Sequence, residues 1–596
     1  MARETAAMPP ASLSGGNGNS GVEPFGTGGD THTHTPGQTI LTQGRSAGET
    51  MSSILELSVE ELAAALAKGQ ISALEVLKTY QARAELIHHA CNAVAFWIPD
   101  AEARAREADE HLQRTGKVLG PLHGVPFTVK DHVMVQGTPI TMGMQSLKKT
   151  GKKSGRDEYL VKAFRALGAI PFAKSTMSQL GMTIGGGSPA HGDTLNPWDT
   201  LRSPGGSSCG EGALVGGGAT PFGIGSDVGG SVRVPAAFCG ISALKPTVGR
   251  ISTMLTRPGE YFVPATTGVM AKSAKDLSLV YSLLLSQGLT VGLPRIPPLP
   301  FDASEFSSSR KLRIGCYLEE YTFPKPCKAV CRAVEESTNA LKALGHEIVD
   351  FKPHSSGVLP REMVWDLDAS FYISAEPYNP SKQNRKQKSK EDIRSQVMPS
   401  WTDSDEETHP DLIGMFRPKE AYDSKDIHHG GSMAGSSLGY EQLYGKRDAM
   451  RERFYNAWQA AGLDALLCPV SATPALHVEE VQNAVSNVVT TRVFNLLDMP
   501  AGVVTVSLVK DSDLVPYDPG TQDPDVTRMA KRAVQDSLGL PVGVQVVTLP
   551  WREELCLRTM LELEKGFGFS AAHYKLAPLA RRSRSLGAPP EAVSRL

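Results

Sequence analysis

Two glycine-rich segments place hydroxyl side chains in unusually permissive backbone: Ser203-Pro-Gly-Gly-Ser-Ser-Cys-Gly-Glu-Gly212 and Gly223-Ile-Gly-Ser-Asp-Val-Gly-Gly-Ser231-Val-Arg-Val-Pro235. Glycine at this density lets backbone approach a ligand closely and adopt turns closed to other residues. Val228, Gly229 and Gly230 stand just before Ser231, and if a helix starts at Ser231, successive amide N–H groups there converge on one point and the helix dipole adds positive potential. Such a constellation is an oxyanion hole or an anion nest. Nucleotide phosphate binding is disfavoured, because no glycine here is followed by Lys-Ser or Lys-Thr as a P-loop requires. The spacing of Gly223, Gly225 and Gly229 is one residue too long for a dinucleotide fingerprint. Glycines that serve only turns and packing remain the competing reading of this stretch taken alone.

These segments lie among elements that would hold them. Val125–Lys130, Ala169–Ala173 and Pro221–Gly225 are short apolar runs bounded by glycine or proline and read as buried strands, with a helix over Asp157–Leu167. Arg313–Cys316, Ile348–Phe351, Ala465–Val470 and Val542–Val547 add strands; Lys328–Leu344 and Glu553–Phe567 add helices. Ser58/Glu61 and Ser72/Glu75 are capping-box pairs opening two further helices, and Asp100 opens a third that runs to about Leu112. Strands alternating with helices predict an α/β fold: a large mixed, mostly parallel twisted sheet flanked by helices on both faces. The main domain is expected over 53–575, interrupted by a polar insertion at 379–436. The glycine-, serine- and threonine-rich 1–52 and the polar 576–596 are expected to be disordered tails, too poor in apolar residues to offset chain entropy.

Composition narrows the classes. The 596 residues carry 61 Lys+Arg against 63 Asp+Glu, a net −2, which argues against nucleic-acid binding through a basic surface. With 40% hydrophobic residues the chain can build a sizeable core. The eight cysteines form no CxxC pair, and Cys327 and Cys331 lack partners for a zinc site, so buried free thiols in a reducing compartment are expected. No apolar run reaches the ~18 residues of a membrane span, and the N-terminus lacks a signal-peptide layout. A cytoplasmic or peripheral-membrane protein is therefore expected. The C-terminal Ser594-Arg595-Leu596 is a relaxed form of the Ser-Lys-Leu peroxisomal address. Glu211 has no carboxylate partner at helical spacing, so paired-carboxylate glycosidase chemistry finds no support, and His123 reads as a packed histidine.

The motifs GGSS (205–208), GSDVGGSVRVPA (225–236), CGISALKPTVGR (239–250) and PLHGVPFTVKD (121–131) closely resemble those of the amidase signature family, in the family's order, over roughly 53–570. Within that family, TLNPWDTLRSPGGSS (194–208), LLDMPAGVVTVSLV (496–509) and LGLPVGVQVVTLPWREELCLR (538–558) look most like fatty acid amide hydrolases. The resemblance implies a Ser–Ser–Lys triad, a nucleophile-and-base arrangement without histidine. Ser231 matches the nucleophile, Ser207 the bridging serine after a cis peptide at Gly206-Ser207, and Lys130 the base. The amides of Val228, Gly229, Gly230 and Ser231 match the oxyanion hole, and Gly181 falls where a backbone carbonyl faces the leaving group. Ser208, Asp227 and Arg233 match positions that orient the triad. The resemblance implies neither metal nor cofactor. A lysine base must be neutral near pH 7, and the apolar run Val125, Phe127, Val129 around Lys130 could supply the burial that neutralises it.

The expected activity is hydrolysis of carboxylic amides through an acyl-enzyme on Ser231, with fatty acid amides or N-acylethanolamines as substrates. A short-chain acetamidase, a glutaminase subunit of a tRNA amidotransferase and a non-catalytic scaffold are the alternatives. The polar N-terminal tail and charged insertion depart from the membrane segment and apolar cap of the animal enzymes, which argues against delivery of substrate from a bilayer and leaves shorter or more soluble amides open. Peripheral membrane contact and homodimerisation are left open.

Overall fold

The computed structural model describes residues 53–251, 262–286, 296–361, 363–364, 437–484 and 489–567. The N-terminal tail, the 379–436 insertion and the C-terminal tail with Ser594-Arg595-Leu596 fall outside these.

The capping signals act as read. The Ser72 hydroxyl accepts the Glu75 N–H at the start of the helix Ala73–Cys91, whose Leu77, Tyr80 and Ala84 are buried. Ser58 and Glu61 form a reciprocal capping box ahead of Val59–Ala67. Asp100 stands at the N-cap of Ala101–Thr115 but makes no cap bond; its carboxylate accepts from the Arg104 and Arg165 guanidinium groups instead.

The strands are β1 (Val94–Trp97), β2 (Pro126–Lys130), β3 (Ile170–Ser175), β4 (Gly187–Ser188), β5 (Gly192–Asp193), β6 (Phe222–Asp227), β7 (Ser242–Lys245), β8 (Thr266–Ala271), β9 (Arg313–Cys316), β10 (Glu347–Asp350), β11 (Ala465–Pro469), β12 (Ala501–Leu508) and β13 (Pro541–Val547). Eleven of them form one sheet in the order β1-β3-β2-β6-β8-β7-β12-β13-β11-β9-β10, while β4 and β5 pair separately. The sheet is mixed and flanked by helices, as expected. Parallel pairing is confined to β3-β2-β6 and β11-β9-β10, and the centre from β6 to β11 is antiparallel. Strand–helix alternation does not encode this, because long connections such as 246–265 can return the chain in either direction.

Both faces of the sheet are covered. Successive residues of a strand point to opposite faces, and here they enter different apolar clusters. Ala243, Met270 and Val503 join one, whereas their neighbours Leu244, Val269 and Val504 join another. Central strands buried on both faces lose the polar alternation of an exposed sheet, which is why β2, β3, β6 and β13 read as continuous apolar runs. Among the described residues no helix is long and apolar enough to cross a membrane.

Candidate active site

Three chain segments meet at the C-terminal ends of β2 and β6. These strands are parallel neighbours, with Thr128 opposite Gly223 and Val129 opposite Ile224, so the register carries Lys130 to the level of Gly225, from where its side chain reaches Ser226. Ser207 and Ser208 precede the helix Cys209–Gly216, and Ser231 lies between β6 and the helix Arg233–Cys239. The Gly206-Ser207 peptide is cis. Glycine is required at 206 for space: a Cβ there would stand 2.2 Å from the Gly185 carbonyl oxygen and 2.8 Å from that of Thr183. At Gly230, φ is +125° and a Cβ would lie 2.3 Å from Thr491 Oγ1.

Lys130 is fully buried. Its Nζ donates to Ser207 Oγ at 2.8 Å and to Ser226 Oγ at 3.1 Å. Burial lowers its pKa to about 8, against the opposing pull of Cys209, Asp227, Glu211 and Asp131. An amine titrating there is substantially neutral at mildly alkaline pH. The Ser208 hydroxyl contacts the backbone of Ser226, accepting its N–H and donating to its carbonyl, both at 3.4 Å.

Asp227 organises the turn into Ser231. Its carboxylate accepts the N–H groups of Gly230 (2.8 Å) and Val232 (3.1 Å), both Nε and Nη2 of Arg233, and Asn495 Nδ2. Burial alone would raise this carboxyl, but the Arg233 guanidinium and the surrounding donors hold it well below the usual range. Arg233 spends its remaining donors on the Thr491 carbonyl, Gln545 Oε1 and Asn495 Oδ1. Of the four amides expected to converge, that of Gly230 is thus engaged by Asp227. Those of Val228, Gly229 and Ser231 make no backbone hydrogen bond among the described residues.

Ser207, Ser226, Ser231, Gly181, Val228 and His132 share one small cavity with Met142, Met177, Leu180, Met182 and Ala265. Gly181, at φ +67°, lies so close to Ser207 that a Cβ there would be 3.3 Å from Ser207 Oγ. Glu211 sits behind the site, buried beneath β2 and β6, and accepts from Thr128 Oγ1 at 2.6 Å. Burial raises its carboxyl to about 7. His123 is buried and accepts the Leu119 N–H at Nδ1, away from this cavity.

Residues 75–557 match the family model for amidases. The chain belongs to the amidase family. Among the relatives of this amidase, fatty acid amide hydrolase 1 of Caenorhabditis elegans is 33% identical over 533 residues, spanning 85% of this chain and 88% of the relative. Fatty-acid amide hydrolase 1 of Sus scrofa is 31% identical, covering 86% of each. The acetamidase of Emericella nidulans is 28% identical, covering 86% of this chain and 90% of the relative. The fold matches a solved fatty acid amide hydrolase with a TM-score of 0.70 at 23% identity, covering 87% of this chain and 86% of that one.

Several site residues were not legible beforehand. Asn495, Gln545 and Thr491 reach Arg233 from more than 250 positions away in sequence, so no local spacing announces them. His132 carried a weak signal, standing two residues beyond Lys130 and just past the PLHGVPFTVKD motif.

Proposed function

We propose that this amidase cleaves fatty acid amides or N-acylethanolamines through an acyl-enzyme on Ser231. The observation that carries the reading is the Lys130–Ser207 hydrogen bond at 2.8 Å, with Ser207 and Ser231 facing the same cavity. Neutral Lys130 takes the Ser207 proton while Ser207 takes that of Ser231, and Ser231 Oγ adds to the amide carbon. The carbonyl oxygen becomes an oxyanion facing the N–H groups of Val228, Gly229 and Ser231; the Gly230 N–H, held by Asp227, supports the loop instead. Collapse of this intermediate breaks the C–N bond, and the relay returns the proton through Ser207 to the departing nitrogen. Water then hydrolyses the ester on Ser231, releasing the acid.

The apolar walls support a hydrocarbon acyl group. Met142, Met177, Leu180, Met182, Val228 and Ala265 line the cavity, and methionine thioethers adapt to a flexible chain. Ser208 and Arg233 act through the backbone and through Asp227, without reaching the substrate. The experiment is a fluorophosphonate probe followed by an amide panel from acetyl to arachidonoyl. Ser231 labels and the Ser231→Ala variant does not, with turnover favouring long chains. Labelling with cleavage of acetamide alone would establish the short-chain reading, and an unlabelled wild-type Ser231 would remove the catalytic one.

A further inference from the structure

Among the described residues, the polar side chains on the cavity wall are His132, Ser207, Ser226 and Ser231. Lys130 holds two of them, Ser207 and Ser226, and Ser231 is the proposed nucleophile. His132 stands apart from the relay. It is only 6% exposed, yet neither ring nitrogen has a hydrogen-bond partner among the described residues. A buried imidazole left unpaired costs free energy that a bound ligand can offset by supplying the partner.

Its placement is tightly determined. The Val133 N–H donates to the Lys130 carbonyl at 2.9 Å, closing a turn in which His132 is the third residue. The Asp131 N–H donates to the Ser175 carbonyl at 3.0 Å, and its carboxylate accepts the N–H and hydroxyl of Thr141 at 3.0 and 2.8 Å. Asp131 is thereby anchored to β3 and to the loop that carries Thr141, while His132 lines the cavity with both ring nitrogens just beneath its surface, where a turn of the ring brings one to a ligand. Burial, reinforced by the nearby Lys130 and Lys174 amines, keeps the imidazole neutral, so it offers one donor and one acceptor rather than a charge.

The side of the substrate that His132 meets follows from the relay. The departing nitrogen must lie within reach of Ser207, which reprotonates it, so the wall beside Lys130 and Ser207 belongs to the leaving group. We propose that His132 is a specificity-determining residue that hydrogen-bonds a hydroxyl carried on a short arm of the departing amine. This rests on the reaction proposed above and adds the leaving-group preference. The methionine and leucine side chains around the cavity offer no comparable donor and acceptor pair.

The test compares an N-acylethanolamide with the matched N-acylpropylamide, in which methyl replaces hydroxyl, in both oleoyl and acetyl series. One neutral hydrogen bond in a desolvated site gives the wild type about a tenfold preference in kcat/KM for the hydroxylated member. In His132→Leu that ratio falls to about one, chiefly through KM of the ethanolamide, while His132→Asn, which keeps a donor and an acceptor, retains an intermediate ratio. A merely structural role would slow both substrates and leave the ratio intact, and that result overturns the proposal. A wild-type ratio of one overturns it as well. Should His132→Leu fail to fold, His132→Ala, which also removes both ring nitrogens, carries the same readout. Turnover of the acetyl pair alone removes the acyl-chain reading while the ratio still reports on His132; no turnover of either pair removes the hydrolase reading itself.

Discussion

The carboxylate of Asp227 accepts the Gly230 N–H at 2.8 Å and ties the loop that carries Ser231 to the end of the strand it leaves. The same carboxylate neutralises Arg233, which is entirely buried. Asp227→Asn retains one acceptor oxygen and no charge, leaving a buried guanidinium uncompensated. Loss of one partner from such a pair costs about 3–5 kcal/mol. We expect a large drop in the thermal midpoint together with loss of Ser231 labelling, and a variant that melts like wild type would contradict the assignment.

The proposed lysine relay predicts a pH profile. The reactive form is the neutral amine, so kcat/KM rises as Lys130 loses its proton, with an inflection near its pKa of about 8. Below that pH the ammonium cannot accept the Ser207 proton, and the rate falls about tenfold per pH unit. A profile whose acidic limb sits near 6 would point to another base.

In the same relay, Glu211 is expected to tune this limb without lining the cavity. Its carboxyl titrates at about 7, so it is mostly ionised where Lys130 titrates, and its charge favours the ammonium. Glu211→Gln keeps an acceptor for Thr128 but removes the charge. Lys130 then loses its proton more readily, and the acidic limb moves to lower pH. A shift to higher pH, read from the same kcat/KM titration, would show that Glu211 acts otherwise.

Gly206 is determined by space. A methyl group there meets two backbone carbonyls, those of Gly185 and Thr183, neither of which can swing aside as a side chain could. Gly206→Ala is expected to cost about 3 kcal/mol or more. Gly155 provides the control, because a methyl group added there would have nothing within 4 Å. Gly155→Ala should melt within a degree or two of wild type, roughly the ±0.5 kcal/mol of a surface change. Equal melting points for the two variants would refute this account.

The sequence by itself determined what depends on nearest neighbours along the chain. The capped helices after Ser58 and Ser72, the buried strands over Val125–Lys130 and Pro221–Gly225, and the glycine-rich turns around Ser207 and Ser231 are all local patterns of period, cap and permissive backbone. Family motifs added which of these segments belong together. Tertiary structure decided the rest, because hydrogen-bond partners are chosen by proximity in space. It placed Asn495, Gln545 and Thr491 around Arg233, assigned the Gly230 amide to Asp227, and made the centre of the sheet antiparallel. It also left the His132 ring unpaired at the cavity wall, which no spacing could reveal, since an imidazole is satisfied or unsatisfied only by what the fold brings within about 3 Å.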